Sequence, residues 1–341
     1  MRKMGDTGTT PDGSGNDGAF FKTLVEQQYA ENNVHLHSLS QYEFDWRGIY
    51  RVEFARGESG VLRAVRQDEG ISWLLKPAAT LLFLEQQGYP APRMVRTRSG
   101  ELVGKQHDWW TFMVTFIEGD PLDYAPETLR ELAEVAARLH NLNPDAASAA
   151  VPPVQASWKH PQEAIPECLG QLDQINDRIP PELQTFCDEV RATLERFQQA
   201  THLPMTVTHG DCWSGNAVRT HDNAIVLIDW DGSGFDLPII DLGTLLLTCH
   251  FNQPPLSRIK PDRAAIPAIM EGYCKERTLA PSELDMLEDA VRFNSAFHFA
   301  SDAQSLLQEG WQGNSGLLKL RLRFEGAQEI AEVARKAAGQ G

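Results

Sequence analysis

The spacing of apolar residues changes several times along the first third of the chain. Residues 20–29 repeat apolar side chains every three to four positions, which predicts a helix. Alternation at 50–54 and again at 61–65 predicts two strands joined by the polar turn between them. The apolar-rich segment 71–87 predicts a second helix, because a glycine and the extended sequence Tyr-Pro-Ala-Pro follow it. A strand run at 111–117 completes a region in which helices and strands alternate.

Helical spacing dominates the rest of the chain. Pro126 is a residue type that favours the first turn of a helix, and the apolar face that follows it ends near His140. We interpret His140 as a cation that stabilises the C-terminus of this helix. The exception to the helical pattern is a pair of short strands at 205–209 and 224–229, which enclose a cluster of polar residues.

These patterns predict an α+β fold with two lobes. The polar residues 1–18 contain no apolar segment that would act as a signal peptide, and we expect them to form a disordered tail. An N-terminal lobe with an antiparallel sheet is expected at 19–117, and a mainly helical C-terminal lobe at 118–341. The length of 341 residues agrees with two lobes, because it exceeds what one hydrophobic core usually serves.

Charge and cysteine content exclude several classes of protein. The formal net charge of -16 argues against a nucleic-acid partner, since such a protein needs a basic surface. No apolar run approaches the roughly 20 residues of a membrane-spanning helix, so we expect no membrane partner and a cytoplasmic location. The five cysteines are scattered without the spacing of a zinc site, and we interpret them as reduced thiols.

The polar cluster at 208–216 reads THGDCWSGN, and the second strand of the enclosing pair ends at Asp229. Transfer of a phosphoryl group needs a carboxylate near the acceptor hydroxyl and oxygen ligands for magnesium. Asp211 is the candidate that accepts or orients the hydroxyl proton, whereas Asn216 and Asp229 are the candidate Mg²⁺ ligands. The interval from Asp211 to Asn216 is typical of the catalytic loop of kinases. The cluster therefore predicts phosphoryl transfer.

The segments HGDCWSGN, IDWD and DLPIIDLG together resemble the motifs of the superfamily that holds aminoglycoside phosphotransferases and choline kinases, and HGDxWxGN also resembles fructosamine kinases. The resemblance implies a bilobal protein-kinase-like fold and an ATP-dependent, Mg²⁺-dependent enzyme that moves the γ-phosphate to a hydroxyl of a small molecule. It also implies that Asp211 is catalytic and that His209 and Asp241 support the loop that carries it. Asp231 would contact a second metal ion or bond to a metal ligand.

The resemblance extends to the N-terminal lobe, which it implies is the nucleotide-binding lobe. Arg63 stands where kinases keep a lysine that contacts the phosphates, and backbone groups of Thr115 and Ile117 would meet the adenine. The helix position expected to carry a glutamate partner is Pro77. No GxGxxG loop precedes the first strand pair, and we assign the turn that covers the phosphates to residues 45–49.

Two alternatives to a small-molecule kinase stay open. One is a protein Ser/Thr kinase of the same superfamily, although the segment between Asp229 and Asp241 lacks an activation-loop sequence. The other is a nucleotide-binding regulatory module with impaired catalysis, because of Arg63 and the missing glutamate. The acceptor pocket is expected in residues 143–203 and 251–312, and the candidate acceptors are an aminoglycoside, a fructosamine, choline, homoserine or another small hydroxyl compound.

Overall fold

The computed structural model describes residues 14–29, 34–39, 47–67, 71–151, 164–251, 259–309 and 315–339. These residues form two compact units, one that ends at Ile117 and one that begins at Glu118. The first unit holds an antiparallel sheet and the second is mainly helical, which confirms the predicted α+β fold. None of the helices in the described part of the chain is long and apolar enough to cross a bilayer.

The first unit consists of a six-stranded sheet and two helices. Its elements are α1 (Ser14–Gln28), β1 (His35–Ser38), β2 (Arg47–Glu53), β3 (Ser59–Arg66), α2 (Ser72–Gln86), β4 (Met94–Val95), β5 (Gly104–Gln106) and β6 (Trp109–Thr115). The strands pair antiparallel in the order β1-β2-β3-β6-β4, and β5 also pairs with β6. Arg63 therefore lies on the central strand, opposite Ile49 of β2 and Phe112 of β6.

One face of this sheet is buried under α1. Leu24 of α1 shares a buried cluster with Leu62 and Ala64 of β3 and with Met113 of β6. Because successive side chains of a strand point to opposite faces, Arg63 belongs to the other face of the sheet. Its side chain is partly buried there.

The second unit is built from helices and very short strands. Its elements are β7 (Asp120–Pro121), α3 (Pro126–His140), α4 (Pro144–Ala150), α5 (Ile165–Ile175), α6 (Pro181–Gln199), β8 (Thr206–Thr208), β9 (Ala217–Arg219), β10 (Ile225–Leu227), β11 (Gly234–Asp236), α7 (Pro238–Leu247), α8 (Ala265–Glu276), α9 (Pro281–Asp285), α10 (Leu287–Glu309) and α11 (Ser315–Ala338). Every residue of α7 is buried. A Cβ at Gly243 of α7 would lie 2.1 Å from the Ala290 carbonyl oxygen of α10, so glycine permits the close approach of these two helices.

The two short strands predicted at 205–209 and 224–229 do not pair with each other. Both strands exist, as β8 and β10, but β8 pairs with β11 and β10 pairs with β9. Neither β9 nor β11 was predicted, because a strand of three residues has too few side chains for alternation to be recognised. The polar cluster consequently runs from the two-stranded sheet of β8 and β11 into the three-stranded sheet β10-β9-β7.

Two predictions for the N-terminal lobe need correction. The predicted tail at 1–18 is too long, since α1 already begins at Ser14, and residues 1–13 lie outside the described part of the chain. In the predicted turn at 45–49, the first two residues also lie outside the described part, and the last three belong to β2. Residues 47–49 pair with β3, so β2 begins before residue 50, where the alternation of apolar and polar residues begins.

Candidate active site

The polar loop between β8 and β9 contains a backbone conformation that favours glycine. Gly210 has a φ of +80°, and a Cβ there would lie 2.0 Å from the carbonyl oxygen of Gly232. Gly232 ends the short 3₁₀ turn Trp230–Gly232, which follows Asp229. This close backbone contact brings the His-Gly-Asp segment against the segment that carries Asp229.

Asp211 and Asn216 bond to each other directly. Nδ2 of Asn216 donates to Oδ2 of Asp211 at 2.7 Å and to the Asp211 carbonyl oxygen at 3.0 Å. The turn that carries Asn216 is anchored by Ser214, whose N–H and hydroxyl lie 3.0 and 2.8 Å from the Thr248 hydroxyl oxygen. Since its amide nitrogen faces Asp211, the amide oxygen of Asn216 is directed away from that carboxylate.

Asp229 follows β10 in a left-handed backbone conformation, with φ 61° and ψ 64°. Residues other than glycine adopt this conformation rarely, and such strain is concentrated at functional sites. The side chain of Asp229 is exposed, and Asp231 lies partly exposed in the turn that follows. Among the described residues, no group of three or more His, Cys, Asp or Glu side chains could hold a metal ion.

Burial raises the pKa of the Asp211 carboxyl above its usual value. The charge of His209 and the hydrogen bond from Asn216 oppose this shift, whereas the negative charge of Asp229 adds to it. The two carboxylates are thus within electrostatic reach of each other. A more basic carboxylate is better suited to accept a proton than a fully solvated one.

Asp241, in the first turn of α7, fastens the loop through its backbone. Oδ2 of Asp241 accepts the N–H of His209 at 2.7 Å, and Oδ1 accepts the N–H of Gly210 at 2.9 Å. The carboxylate is fully buried, so these two donors replace hydration that it has lost. The position of the residue directly before Asp211 is therefore set from inside the unit.

A chain of buried hydrogen bonds continues behind Asp241. Nε2 of His140 lies 3.1 Å from Oδ2 of Asp241, and Nδ1 lies 2.8 Å from the hydroxyl of Tyr273. Arg277 donates to the same hydroxyl at 3.3 Å and to Glu283 at 2.8 Å. We call the side chains of Asp241, His140, Tyr273, Arg277 and Glu283 the buried relay.

The protonation states along the buried relay follow from burial and bonding. Burial lowers the pKa of His140 although the Asp241 carboxylate opposes this, so the ring is neutral and donates through Nε2. Burial alone would raise the pKa of Asp241, but the bond and charge of His140 and the N–H of His209 lower it. The interpretation of His140 as a cation at a helix terminus is wrong, because both ring nitrogens bond to side chains of other helices.

The side chain of His209 ties the loop to the end of β10. Nε2 of His209 lies 2.9 Å from the carbonyl oxygen of Ile228, and its ring centroid is 4.7 Å from that of Trp230. The indole N–H of Trp230 donates in turn to the Leu227 carbonyl at 3.0 Å. These contacts connect the residues on either side of Asp229 with the residue two positions before Asp211.

The residues predicted to bind the nucleotide belong to the first unit. Thr115 ends β6, where its N–H donates to the Arg93 carbonyl at 2.8 Å and its hydroxyl accepts the N–H of Arg93 at 2.9 Å. Ile117 is the last residue of the unit. Pro77 lies inside α2, so this helix position offers no carboxylate to Arg63. The roles predicted for Arg63, Thr115 and Ile117 stay predictions.

Sequence reasoning missed Tyr273 and His298, and it misread His140. His298 of α10 lies close enough to Asp211 for the two side chains to influence each other's pKa. Tyr273 and His298 stand in helices without a motif around them, so no signal in the sequence pointed to either. For His140 a signal existed, because it continues the apolar face of α3, where a polar side chain needs a buried partner.

Comparison with known proteins agrees with this fold. The model of the "Phosphotransferase enzyme family" matches residues 50–281, which is more than half of the chain. The chain therefore belongs to the phosphotransferase enzyme family. The matched region contains Arg63, the polar loop and Asp241.

Individual relatives are more distant. A homoserine kinase of Methylobacterium nodulans is 28% identical over 209 residues, which cover 60% of this chain and 60% of that protein. The match thus spans less than two thirds of the length of the curated relative. An amicoumacin kinase solved with AMP-PNP, Ca²⁺ and Ami has a TM-score of 0.66 at 15% identity and covers 93% of both chains. A spectinomycin phosphotransferase solved with ADP and spectinomycin has a TM-score of 0.61 at 15% identity, over 95% of this chain and 98% of that one.

Proposed function

We propose that the chain is an ATP-dependent kinase that transfers the γ-phosphate to a hydroxyl group of a small molecule. The observation that carries the proposal is the 2.7 Å bond from Asn216 to Asp211, in a loop whose backbone Asp241 holds. This bond fixes a basic carboxylate beside an amide oxygen, and phosphoryl transfer requires such a pair of groups. Membership of the phosphotransferase enzyme family supports the reaction class.

Asp211 would orient the acceptor hydroxyl and accept its proton during the transfer. The bond from Asn216 holds Oδ2 of Asp211, so we assign Oδ1 to the acceptor hydroxyl. A carboxylate that is already held in place loses little conformational freedom when the acceptor binds. Because its pKa is raised, activity should increase as the pH rises through the pKa of Asp211 in the folded protein.

Asn216 and Asp229 suit Mg²⁺ as ligands. The amide oxygen of Asn216 is directed away from Asp211, and Asp229 exposes its carboxylate. A cation near Asp229 would also relieve the repulsion between its charge and that of Asp211. Magnesium often binds through one or two protein oxygens together with phosphates and water, so a third acidic ligand is not required. Bound Mg²⁺ would neutralise the charge of the phosphates during transfer.

The remaining predicted residues would act on the nucleotide or on the loop. Arg63 offers a planar fork of N–H donors to the phosphates, and Thr115 and Ile117 would contact the adenine through their backbone. His209 and Asp241 would keep the loop in its bonded conformation. We assign Asp231 a bond to a metal ligand or a contact with a second cation. The acceptor is a small molecule, as in the names of the homoserine, amicoumacin and spectinomycin enzymes.

A panel of acceptors tests this proposal. Purified protein, ATP and Mg²⁺ are incubated with amino alcohols, hydroxy acids, aminoglycosides and a protein substrate mixture, and products are identified by mass spectrometry. We expect a phosphorylated small molecule in the presence of Mg²⁺ and none after chelation. If only the proteins in the mixture are phosphorylated, the alternative of a protein Ser/Thr kinase would be favoured. ATP binding without any phosphorylated product would instead support the regulatory module.

A further inference from the structure

Arg323 of α11 is held rigidly on one side of its guanidinium group. The guanidinium carbon lies 4.5 Å from the centroid of the Phe251 ring, in a cation–π contact. One terminal nitrogen, Nη2, donates to the carbonyl oxygens of Phe251 at 2.7 Å and His250 at 3.5 Å. The side chain is therefore positioned before any ligand binds. Its other terminal nitrogen, Nη1, takes part in neither of these bonds.

The anchor of Arg323 continues directly to the polar loop. The ring of Phe251 makes an edge-to-face contact with Trp213, with centroids 5.2 Å apart. Trp213 is two residues beyond Asp211, and its ring covers Gly215 so closely that a Cβ there would lie 2.4 Å away. Asp211 and Arg323 also both act on the pKa of His298. Arg323 thus lies against the Trp213 side of the loop, through the ring of Phe251, and it is within electrostatic reach of the same histidine as Asp211.

Arg323 has no carboxylate partner among the described residues, whereas several other partly buried arginines of the unit have one. Arg277 pairs with Glu283 at 2.8 Å, and Arg292 pairs with Glu288 at 2.9 Å. Among the described residues, no carboxylate forms an ion pair with Arg323. Burial lowers its pKa, and none of the described acidic residues offsets this. The chain has 47 acidic residues against 31 basic ones, yet none of those in the described part pairs with Arg323.

An arginine that loses hydration without gaining a negative partner weakens the fold slightly, and a ligand can supply the missing charge. Nη1 of Arg323 bonds to no described residue, and Nε is buried without a partner in the same part of the chain. A single uncompensated positive charge matches a single negative charge better than the two charges of a phosphate ester. The aromatic rings of Trp213 and Phe251 suit a short aliphatic stem beside the charged group.

We propose that Arg323 binds a carboxylate of the acceptor and that the substrate is a small hydroxy acid, hydroxy amino acids included. This inference rests on the proposed kinase function and narrows it to one class of acceptor. A positively charged aminoglycoside would bring its amines toward an arginine that already lacks a counter-ion. Carboxylate recognition would hold the acceptor so that its hydroxyl reaches Asp211.

Matched acceptors and matched variants test the role of Arg323. L-homoserine, L-serine and 3-hydroxybutyrate are compared with their carboxamides, which have nearly the same shape but lack the negative charge. The variants are Arg323→Met, which keeps much of the aliphatic stem, and Arg323→Lys, which keeps the charge. The control is Arg321→Met on the same helix, because Arg321 pairs with Glu325 at 2.7 Å. Initial rates give kcat and KM for each pair.

We expect wild type to prefer the accepted hydroxy acid over its carboxamide by roughly 10- to 100-fold in kcat/KM, since a charged hydrogen bond is worth about that factor. Arg323→Met should remove this preference by raising KM for the acid, with the carboxamide changed less than about threefold. Arg323→Lys should recover part of the preference, and Arg321→Met should retain all of it.

Several outcomes would overturn the inference, and they differ from failure of the kinase proposal. If the wild type phosphorylates carboxamides or aminoglycosides as well as it does acids, Arg323 does not select a carboxylate. The same conclusion follows if Arg323→Met lowers the rates with acid and carboxamide equally, which is the behaviour of a structural residue. If no acceptor in the whole panel is phosphorylated, both the kinase function and this inference are wrong.

Discussion

The loop around Asp211 and the strand around Arg63 differ in how closely they keep the pattern of their family. In the second unit, Asp211 and Asn216 bond to each other and Asp241 holds the backbone before them. In the first unit, Arg63 stands where we expect a lysine, and Pro77 of α2 stands where we expect a glutamate. Asp211 and Asn216 thus have the expected residue types and are held by hydrogen bonds, whereas Arg63 and Pro77 depart from the expected types.

This contrast has a consequence for kinetics. Groups that act on the transferred phosphoryl group stabilise the transition state, so their loss should lower kcat. Groups that only hold the nucleotide contribute equally before and during the reaction, so their loss should raise the KM for ATP. Substitutions around Asp211 should therefore lower kcat, whereas substitutions around Arg63 should raise the KM for ATP.

Apart from substitution of Asp211 itself, the largest effect is expected from Asp229→Asn. Removing the charge that we assign to the Mg²⁺ ligand should lower kcat by about 100- to 1,000-fold and raise the Mg²⁺ concentration needed for half-maximal rate. The control is Asp222→Asn, in the exposed turn between β9 and β10, where Asp222 accepts a bond from Thr220. A Mg²⁺ titration of the initial rate measures both variants. An unchanged Mg²⁺ requirement in Asp229→Asn would remove this residue from the metal site.

The next effect concerns stability and the buried relay. In Asp241→Asn, one of the two backbone N–H groups that donate to Asp241 would face an amide NH₂ group, which cannot accept the bond. We therefore expect the free energy of unfolding to fall by roughly 3 kcal/mol. The folded pKa of Asp241 is lowered, so its contribution is present above the unfolded pKa and is lost as the pH falls through the folded value. Urea unfolding at neutral pH and at about pH 3 should therefore show a smaller gap between variant and wild type in acid. A gap that is independent of pH would contradict this assignment.

A smaller effect is expected for His140→Gln. The folded pKa of His140 is lowered, so wild type should lose stability as the pH falls below the unfolded value near 6.5, where only the unfolded chain takes up the proton. His140 contributes at most about 1.4 kcal/mol per pH unit to this slope. The variant should lack that contribution and keep those of His250 and His298, whose pKa values burial also lowers. Activity should fall by less than about tenfold, in kcat and not in the KM for ATP. Thermal unfolding as a function of pH measures the slope, and equal slopes in both proteins would place the titration elsewhere.

The smallest effect is expected in the first unit. Arg63→Met should raise the KM for ATP by about tenfold and change kcat by less than about threefold, because one phosphate contact is lost. Arg56→Met, in the turn between β2 and β3 where Arg56 pairs with Glu58, is the matched control. A fall in kcat as large as that of Asp229→Asn would break the contrast between the two regions.

Much of the fold could be predicted from the sequence, because it depends on local spacing. The helix at Pro126–His140 and the strands β2 and β3 carry their apolar pattern in adjacent residues. The polar loop was recognisable for a similar reason, since Asp211 and Asn216 are close in sequence. Family membership then confirmed the class of fold and of protein.

The parts that could not be predicted depend on residues far apart in the chain. His140 and Asp241 are 101 positions apart, and Phe251 and Arg323 are 72 apart. Such contacts arise from helix packing, which apolar spacing alone does not specify. The partner strands β9 and β11 were missed because each has three residues. A polar side chain on an apolar helix face, as at His140, is the local sign that such a distant partner exists.

The role of Asp211 is best measured as γ-phosphate transfer by Asp211→Asn compared with wild type, at saturating ATP and acceptor. We expect kcat to fall by about 100- to 10,000-fold while ATP still binds. The variant should be at least as stable as wild type at neutral pH, because a raised folded pKa means that ionised Asp211 opposes folding there. A folded, ATP-binding Asp211→Asn protein with the kcat of wild type would contradict the account.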